Sequence, residues 1–213
     1  MRYFSFFPKL TTTDKTGNAV LSTNILTRVN VIPELLSNPS SYYTYEIQDG
    51  DTPETIAAKY YGNPYRYWIF MFGNGDKLLD PQWDMPLSYR LFDAYLKDKY
   101  ASAANTASQT VLAYTQSTIS RYFKVVTTVD SNSNQTTVNR YVVDYDTYIT
   151  LPENVVTTKY FSDGNFVEVT TSRSTQTIFE YEQELNEEKR TVNIVDARYA
   201  SELEEKLKSL LTE

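Results

Sequence analysis

The chain has no cysteine and no histidine among its 213 residues. The first absence removes disulfides, thiolate nucleophiles and cysteine-based metal sites, and fits a reducing compartment. The second rules out a Ser-His-Asp set. No G-x-S-x-G pattern or phosphate loop is present either. Positive charge is also short, with 20 Lys and Arg against 27 Asp and Glu. At a net charge of −7 there is no basic stripe to displace counterions from phosphates, which argues against nucleic acid as a partner. No apolar run approaches the roughly 18 residues of a membrane-spanning helix. The aromatic burst from Tyr3 to Phe7 is too short for a signal-peptide core, so a protein without export signal or membrane segment is expected.

What is abundant is tyrosine, 19 of them within an aromatic fraction of 15%. A tyrosine buries a large area at low rotamer cost and keeps a polar tip, a composition suited to contact surfaces. The chain reads as five segments. Residues 1–41 form an N-terminal arm whose apolar positions (Phe4, Phe6, Phe7, Val20, Leu21, Ile25, Leu26, Val29, Val31, Ile32, Leu35, Leu36) lack sustained periodicity. Such an arm needs another surface to lie on, in this chain or a neighbour. Residues 42–87 read as a compact module. Residues 88–110 read as a helix starting after Ser88, followed by the small, polar linker "ASAANTASQT". Residues 111–176, rich in valine, threonine and tyrosine, predict an antiparallel sheet of three to five strands with turns at "DSNSNQ" and "SDGN". Residues 177–213 predict a helical end to "TIFEYEQELNEEKR", a strand at "TVNIV", and a charged helix with the apolar stripe Tyr199, Leu203, Leu207, Leu210 and Leu211. That stripe needs a partner in cis or in trans.

Within the module, Tyr45 and Ile47 share a strand face, and Asp49-Gly50-Asp51 breaks the strand. Thr52 is a good helix cap, Pro53 suits the first helical position, and Glu54 sits near the positive end of the dipole. Ile56, Ala57 and Tyr60 form the buried stripe, and Gly62 can end the helix in the left-handed conformation. Asn63-Pro64 repeats the start signal ahead of Tyr65, Trp68, Ile69 and Phe72 on one face. A short strand at "PQWDMP", with Trp83 and Met85 on one face, would close the order strand, helix, helix, strand.

At this point Tyr45-x-Ile47-x-x-Gly50-Asp51-Thr52, Ile56-Ala57, Tyr60 with Gly62, Asn74, and Trp83-x-Met85-Pro86 resemble a LysM domain. The departures are Pro53, where leucine is commoner, and the heavily aromatic second helix "PYRYWIFMF". The fold class expected is α+β: a LysM-like βααβ module, a small antiparallel β-rich region and a C-terminal helix. LysM domains usually bind N-acetylglucosamine polymers between two loops, here Asp49 to Pro53 and Asn74 to Leu79. A peptidoglycan-binding protein is therefore the alternative reading.

The aromatic N-terminus, the single LysM-like unit with "YYGNPYRYWIFMFGN", and the closing "ELNEEKRTVNIVDARYASELEEKLKSLL" together resemble the LysM-containing baseplate wedge subunit of contractile-tailed, T4-like bacteriophages. That resemblance leaves out the β-rich middle. It implies a structural, non-enzymatic role in the virion, after assembly in the host cytoplasm. Such a subunit joins wedge scaffold and sheath-initiator proteins and clips neighbouring copies of a six-fold assembly around the hub. No cofactor or metal is expected.

The candidate contact residues are Asp49, Gly50, Asp51, Thr52, Pro53, Tyr65, Arg66, Tyr67, Asn74, Asp76 and Lys77, with Tyr199, Leu203, Leu207 and Leu210 on the C-terminal helix. Trp68 reads as a core residue. Asp49 and Asp51 read as turn and cap residues, and Asp144 and Asp146 as neighbours on one strand face. Neither pair has a partner that would split its pKa values, so no acid-base chemistry is assigned. Glu180, Glu182, Glu184, Glu187 and Glu188 read as a solvated acidic face, or as a surface for a basic partner.

Overall fold

The computed structural model describes residues 3–27, 39–75 and 77–212; Val29, Val31, Ile32, Leu35, Leu36 and Asp76 lie outside the described residues. It is mixed helix and sheet, 44% helical and 31% strand, consistent with the α+β class. In chain order come β1 (Lys9–Thr13), β2 (Ala19–Thr23), β3 (Tyr42–Glu46), α1 (Pro53–Tyr61), α2 (Tyr67–Gly73) and α3 (Pro81–Asp84). Then follow α4 (Tyr89–Thr106), α5 (Val111–Ser117), β4 (Ile119–Asp130), β5 (Gln135–Val143), α6 (Tyr145–Thr150), β6 (Asn154–Tyr160) and β7 (Phe166–Thr177). The last elements are α7 (Ile178–Glu188), β8 (Thr191–Val195) and α8 (Ala200–Thr212). The chain divides into two compact units: Met1–Ser88 with Asn186–Glu213, and Tyr89–Leu185.

In the first unit β3 pairs antiparallel with β8, Tyr42 facing Val195 and Glu46 facing Thr191. This corrects the strand expected at "PQWDMP". Pro81–Asp84 is a helical turn capped by Asp80, whose carboxylate accepts from Gln82 N at 2.9 Å. Met85 is buried and Trp83 exposed, so the two do not share a face. Asp80-Pro81 is a third cap-then-proline start signal, and the β-branched "TVNIV" is the better strand sequence.

The helix α1 starts where its local signals place it. Thr52 Oγ1 accepts from Thr55 N at 3.3 Å, Thr55 Oγ1 accepts from Thr52 N at 2.7 Å, and Gly62 ends the helix at φ 65°. Its buried face is Ile56, Ala57 and Tyr61, with Tyr60 only half-buried, a correction by one position. A 3₁₀ turn at Pro64–Arg66 then leads into α2, where Trp68, Ile69 and Phe70 are buried. The core adds Ile47, Val192, Ile194, Leu203, Leu207 and Leu211. Each large aliphatic side chain buried in this way stabilises by about 1.5–3 kcal/mol.

The N-terminal aromatics fold back on this unit: Phe7 is in the core, and the Tyr3 ring lies 5.7 Å from Trp68 and 5.8 Å from Phe72. The hairpin of β1 and β2 is different. No residue of either strand is buried, and Leu10 and Leu21 are exposed.

In the second unit α4 runs through "ASAANT" and replaces the start of the expected linker; alanine is the best helix former, and Ala104 is fully buried. Val111 opens α5 behind the cap Thr110 and does not start the sheet. The sheet has four antiparallel strands in the order β5-β4-β7-β6. A further correction concerns Asp144: it caps α6, its carboxylate accepting from Thr147 N at 2.8 Å, so Asp144 and Asp146 do not line one strand face.

Candidate interaction surface

Around β3 and α1 the side chains form a tyrosine ladder. Tyr60 stands 5.7 Å from Tyr43 and 5.3 Å from Tyr45, and Lys59 Nζ lies within 5.3 Å of the rings of Tyr45 and Tyr60. Tyr45 donates its hydroxyl to Asp51 Oδ2 at 2.6 Å, and the same oxygen accepts from Gln48 N at 2.9 Å. Burial, then the bond to Asp51, pushes the Tyr45 phenol well above its usual range. Asp51 is therefore committed to closing its own loop. Gly50 stands at φ +90° in that turn, and Thr52 and Pro53 serve the start of α1. Asp49 is exposed and pairs with Arg190 at 2.9 Å. Of the loop 49–53, then, the outward side chains are Asp49 and Thr52, while Pro53 is buried.

Arg66 is not a free surface cation. Its guanidinium grips both carboxylate oxygens of Glu204 at 2.9 and 3.1 Å and donates to Tyr61 O at 3.4 Å. The bonds from Arg66 hold the Glu204 carboxyl below the usual range. This fork ties the turn between α1 and α2 to α8. Tyr65 is exposed and Tyr67 half-buried. Asn74 is the clearest departure from a surface reading: it is buried, and its amide bonds to β8. Lys77 is exposed, and Asp76 lies outside the described residues.

The C-terminal stripe is spent within the chain. Leu203, Leu207 and Leu211 are core residues and Tyr199 packs against them, which corrects the reading of Leu203 and Leu207 as contact residues; Leu210 stays exposed. The acidic run is likewise not uniformly solvated. Glu182, in the second unit, is 3% exposed and accepts from Tyr95 OH at 2.9 Å, Lys99 Nζ at 2.8 Å and Tyr100 OH at 2.5 Å. Burial alone would raise its pKa, but the three donors outweigh that and lower it.

Two surface groups are not among the contact residues expected from sequence. Tyr43 completes the ladder at 42% exposed, and Leu79 and Trp83 stand out on the α3 turn at 76% and 66%. Asp84 Oδ2 fixes that turn by accepting from Leu79 N and Asp80 N, and Lys189 donates to Trp83 O at 2.6 Å. The Asp80-Pro81 pair was the signal that could have revealed a helical turn presenting Trp83. Among the described residues no group of three or more His, Cys, Asp or Glu is placed to hold a metal ion. Nor is any helix among them long and apolar enough to cross a membrane. No family model matches the chain, and no curated protein matches it.

Proposed function

We propose that the protein is a structural subunit of a contractile-tail baseplate wedge, and that its first unit is a LysM-like module used as a rigid docking body for other wedge proteins. β3, α1, α2 and β8 supply the two strands and two helices of such a module, the second strand coming from the far end of the chain. The observation that carries the reading is the Leu79–Trp83 turn. Two large apolar side chains stand exposed on a backbone pinned by Asp84 and Lys189. Tryptophan dominates interface hot spots, and a pinned turn loses little entropy on docking. The buried face of α8 takes that helix out of the role of tying adjacent copies; the exposed β1–β2 hairpin, with Leu10 and Leu21, is the better arm for it.

The test is co-purification with the other wedge proteins of the same particle. Trp83→Ala combined with Leu79→Ser should reduce association at least tenfold while the far-UV spectrum is unchanged. Undiminished association would overturn the docking role of the Leu79–Trp83 turn, and direct retention of the wild-type chain on cell-wall sacculi that is lost on changing Asp49 and Thr52 would overturn the assignment in favour of glycan binding.

A further inference from the structure

The four-stranded sheet has one face whose outer half no described residue covers, and its charges are arranged in a particular way. Paired residues of an antiparallel sheet share a face, so Val125 lies in one row with Arg140 and Ser172, Thr127 with Val138 and Thr170, and Val129 with Thr136 and Glu168. At one end of this face Phe123 and Gln176 are buried and Arg121 stacks on Tyr181 at 4.0 Å. Beyond that end the face opens: Val138 is 56% exposed and Val156, opposite Thr170, is 51% exposed. Over these open rows the side chains are valine, threonine, serine and asparagine, with two exceptions. Arg140 on β5 is the single cation and Glu168 on β7 the single anion, and no described residue of the chain partners either one.

We infer that this face is an interface with a second copy of the chain, stacked sheet on sheet about a two-fold axis. Arg140 of each copy then meets Glu168 of the other. The geometry is self-complementary for a simple reason. A two-fold axis lying between the sheets, on the perpendicular bisector of the line from Arg140 to Glu168, exchanges the two positions. One cation and one anion thus give two ion pairs, and Thr127, midway between them on β4, lies against its own counterpart. An isologous contact demands this self-complementarity. The opposite face does not offer it: there Lys124 and Arg173 share one row, Arg173 is already paired with Glu153, and Tyr122 is packed by Tyr145 and Tyr148 of α6.

The size of the patch sets the strength. Four strands about 4.8 Å apart, each contributing five residues at about 3.4 Å, project roughly 300 Å² per copy. That falls among small interfaces, so the association is concentration-dependent and not permanent. The inference concerns the second unit alone and does not depend on the baseplate reading.

The test is sedimentation equilibrium of the full chain from micromolar to millimolar concentration. A monomer–dimer equilibrium is expected. Val138→Lys should abolish it, and Arg140→Glu or Glu168→Arg alone should weaken it about tenfold, since like charges then face each other twice. Combining Arg140→Glu with Glu168→Arg should restore it. None of the three positions is buried, and far-UV circular dichroism checks that each variant folds. A chain that stays monomeric throughout, or a dimer indifferent to the single charge changes, or one that the double exchange fails to rescue, overturns the inference. Loss of wedge association through Trp83 would leave this result untouched.

Discussion

Asn74 imitates a strand for Asn193. Its side-chain Oδ1 accepts from Asn193 N at 2.7 Å and its Nδ2 donates to Asn193 O at 2.7 Å, so a single amide gives one residue of β8 both bonds that a neighbouring strand would supply. The same Nδ2 also donates to Phe70 O at 2.9 Å, locking the end of α2 to the sheet. Asn74→Ala should lower stability by about 2–3 kcal/mol, because it strands a buried N–H and two carbonyls together. Asn74→Asp should be nearly as damaging, since a carboxylate can only accept and would face two carbonyl oxygens. Urea denaturation followed by tryptophan fluorescence, which reports the buried Trp68, measures both.

Leu207 is fully buried at the centre of the apolar stripe of α8. Leu207→Ala should cost about 2–5 kcal/mol, whereas Leu210→Ala, at an exposed position, should fall within about 0.5 kcal/mol of wild type. Thermal unfolding of the two variants side by side decides whether the helix serves its own unit or awaits a partner. Equal, small effects would contradict the packing described.

The fork between Arg66 and Glu204 joins partly buried groups, 21% and 16% exposed. Arg66→Lys should not be conservative, because an ammonium cannot span both carboxylate oxygens. A double-mutant cycle with Glu204→Gln should return a coupling of about 1 kcal/mol that shrinks only modestly with added salt.

Glu182 predicts a pH signature. Its carboxyl is held below the ordinary value of 4.5, so its contribution is complete above that value and is lost as pH falls through the depressed one. The Tyr100 phenol is pushed up to about 12 by burial and by the carboxylate. Its contribution is complete below 10 and lost as pH rises through about 12. Glu182→Gln should cost about 2 kcal/mol at neutral pH and flatten both limbs of the melting-temperature profile.

Gly62 has open space where a Cβ would go but sits at φ +65°, so Gly62→Ala should cost about 1–2 kcal/mol from backbone strain alone. Calorimetry on the single variant reads this directly.

What sequence made legible here was local. Thr52, Pro53 and Gly62 mark both ends of α1 because a cap is a contact between residues three or four apart. The turn at Asp163-Gly164 and the stripe of α8 follow from similarly short spacings. The partner of β3 was not legible, since Tyr42 pairs with Val195 across an entire second unit and the nearer "PQWDMP" offered a competing pattern. The same holds for the contact residues. Arg66, Asn74, Leu203 and Leu207 carry the residue types of an interface, but each is committed to a distant part of its own unit, and no local pattern records that. Glu182 hid for the same reason: the residues that neutralise it, Tyr95, Lys99 and Tyr100, belong to another helix.

The pairing of Tyr42 with Val195 also orders events on the ribosome. β3 emerges early and has no strand to join until β8 has been translated, while everything the second unit needs to fold has by then been made. Leu87 and Asn186, where the chain leaves the first unit and returns, are clasped by two hydrogen bonds, Leu87 N to Asn186 Oδ1 at 2.7 Å and Asn186 Nδ2 to Leu87 O at 3.0 Å. The unit that opens the chain is thus the last to close. A nascent polypeptide stalled before Thr191 would carry a finished insert on an unfinished host.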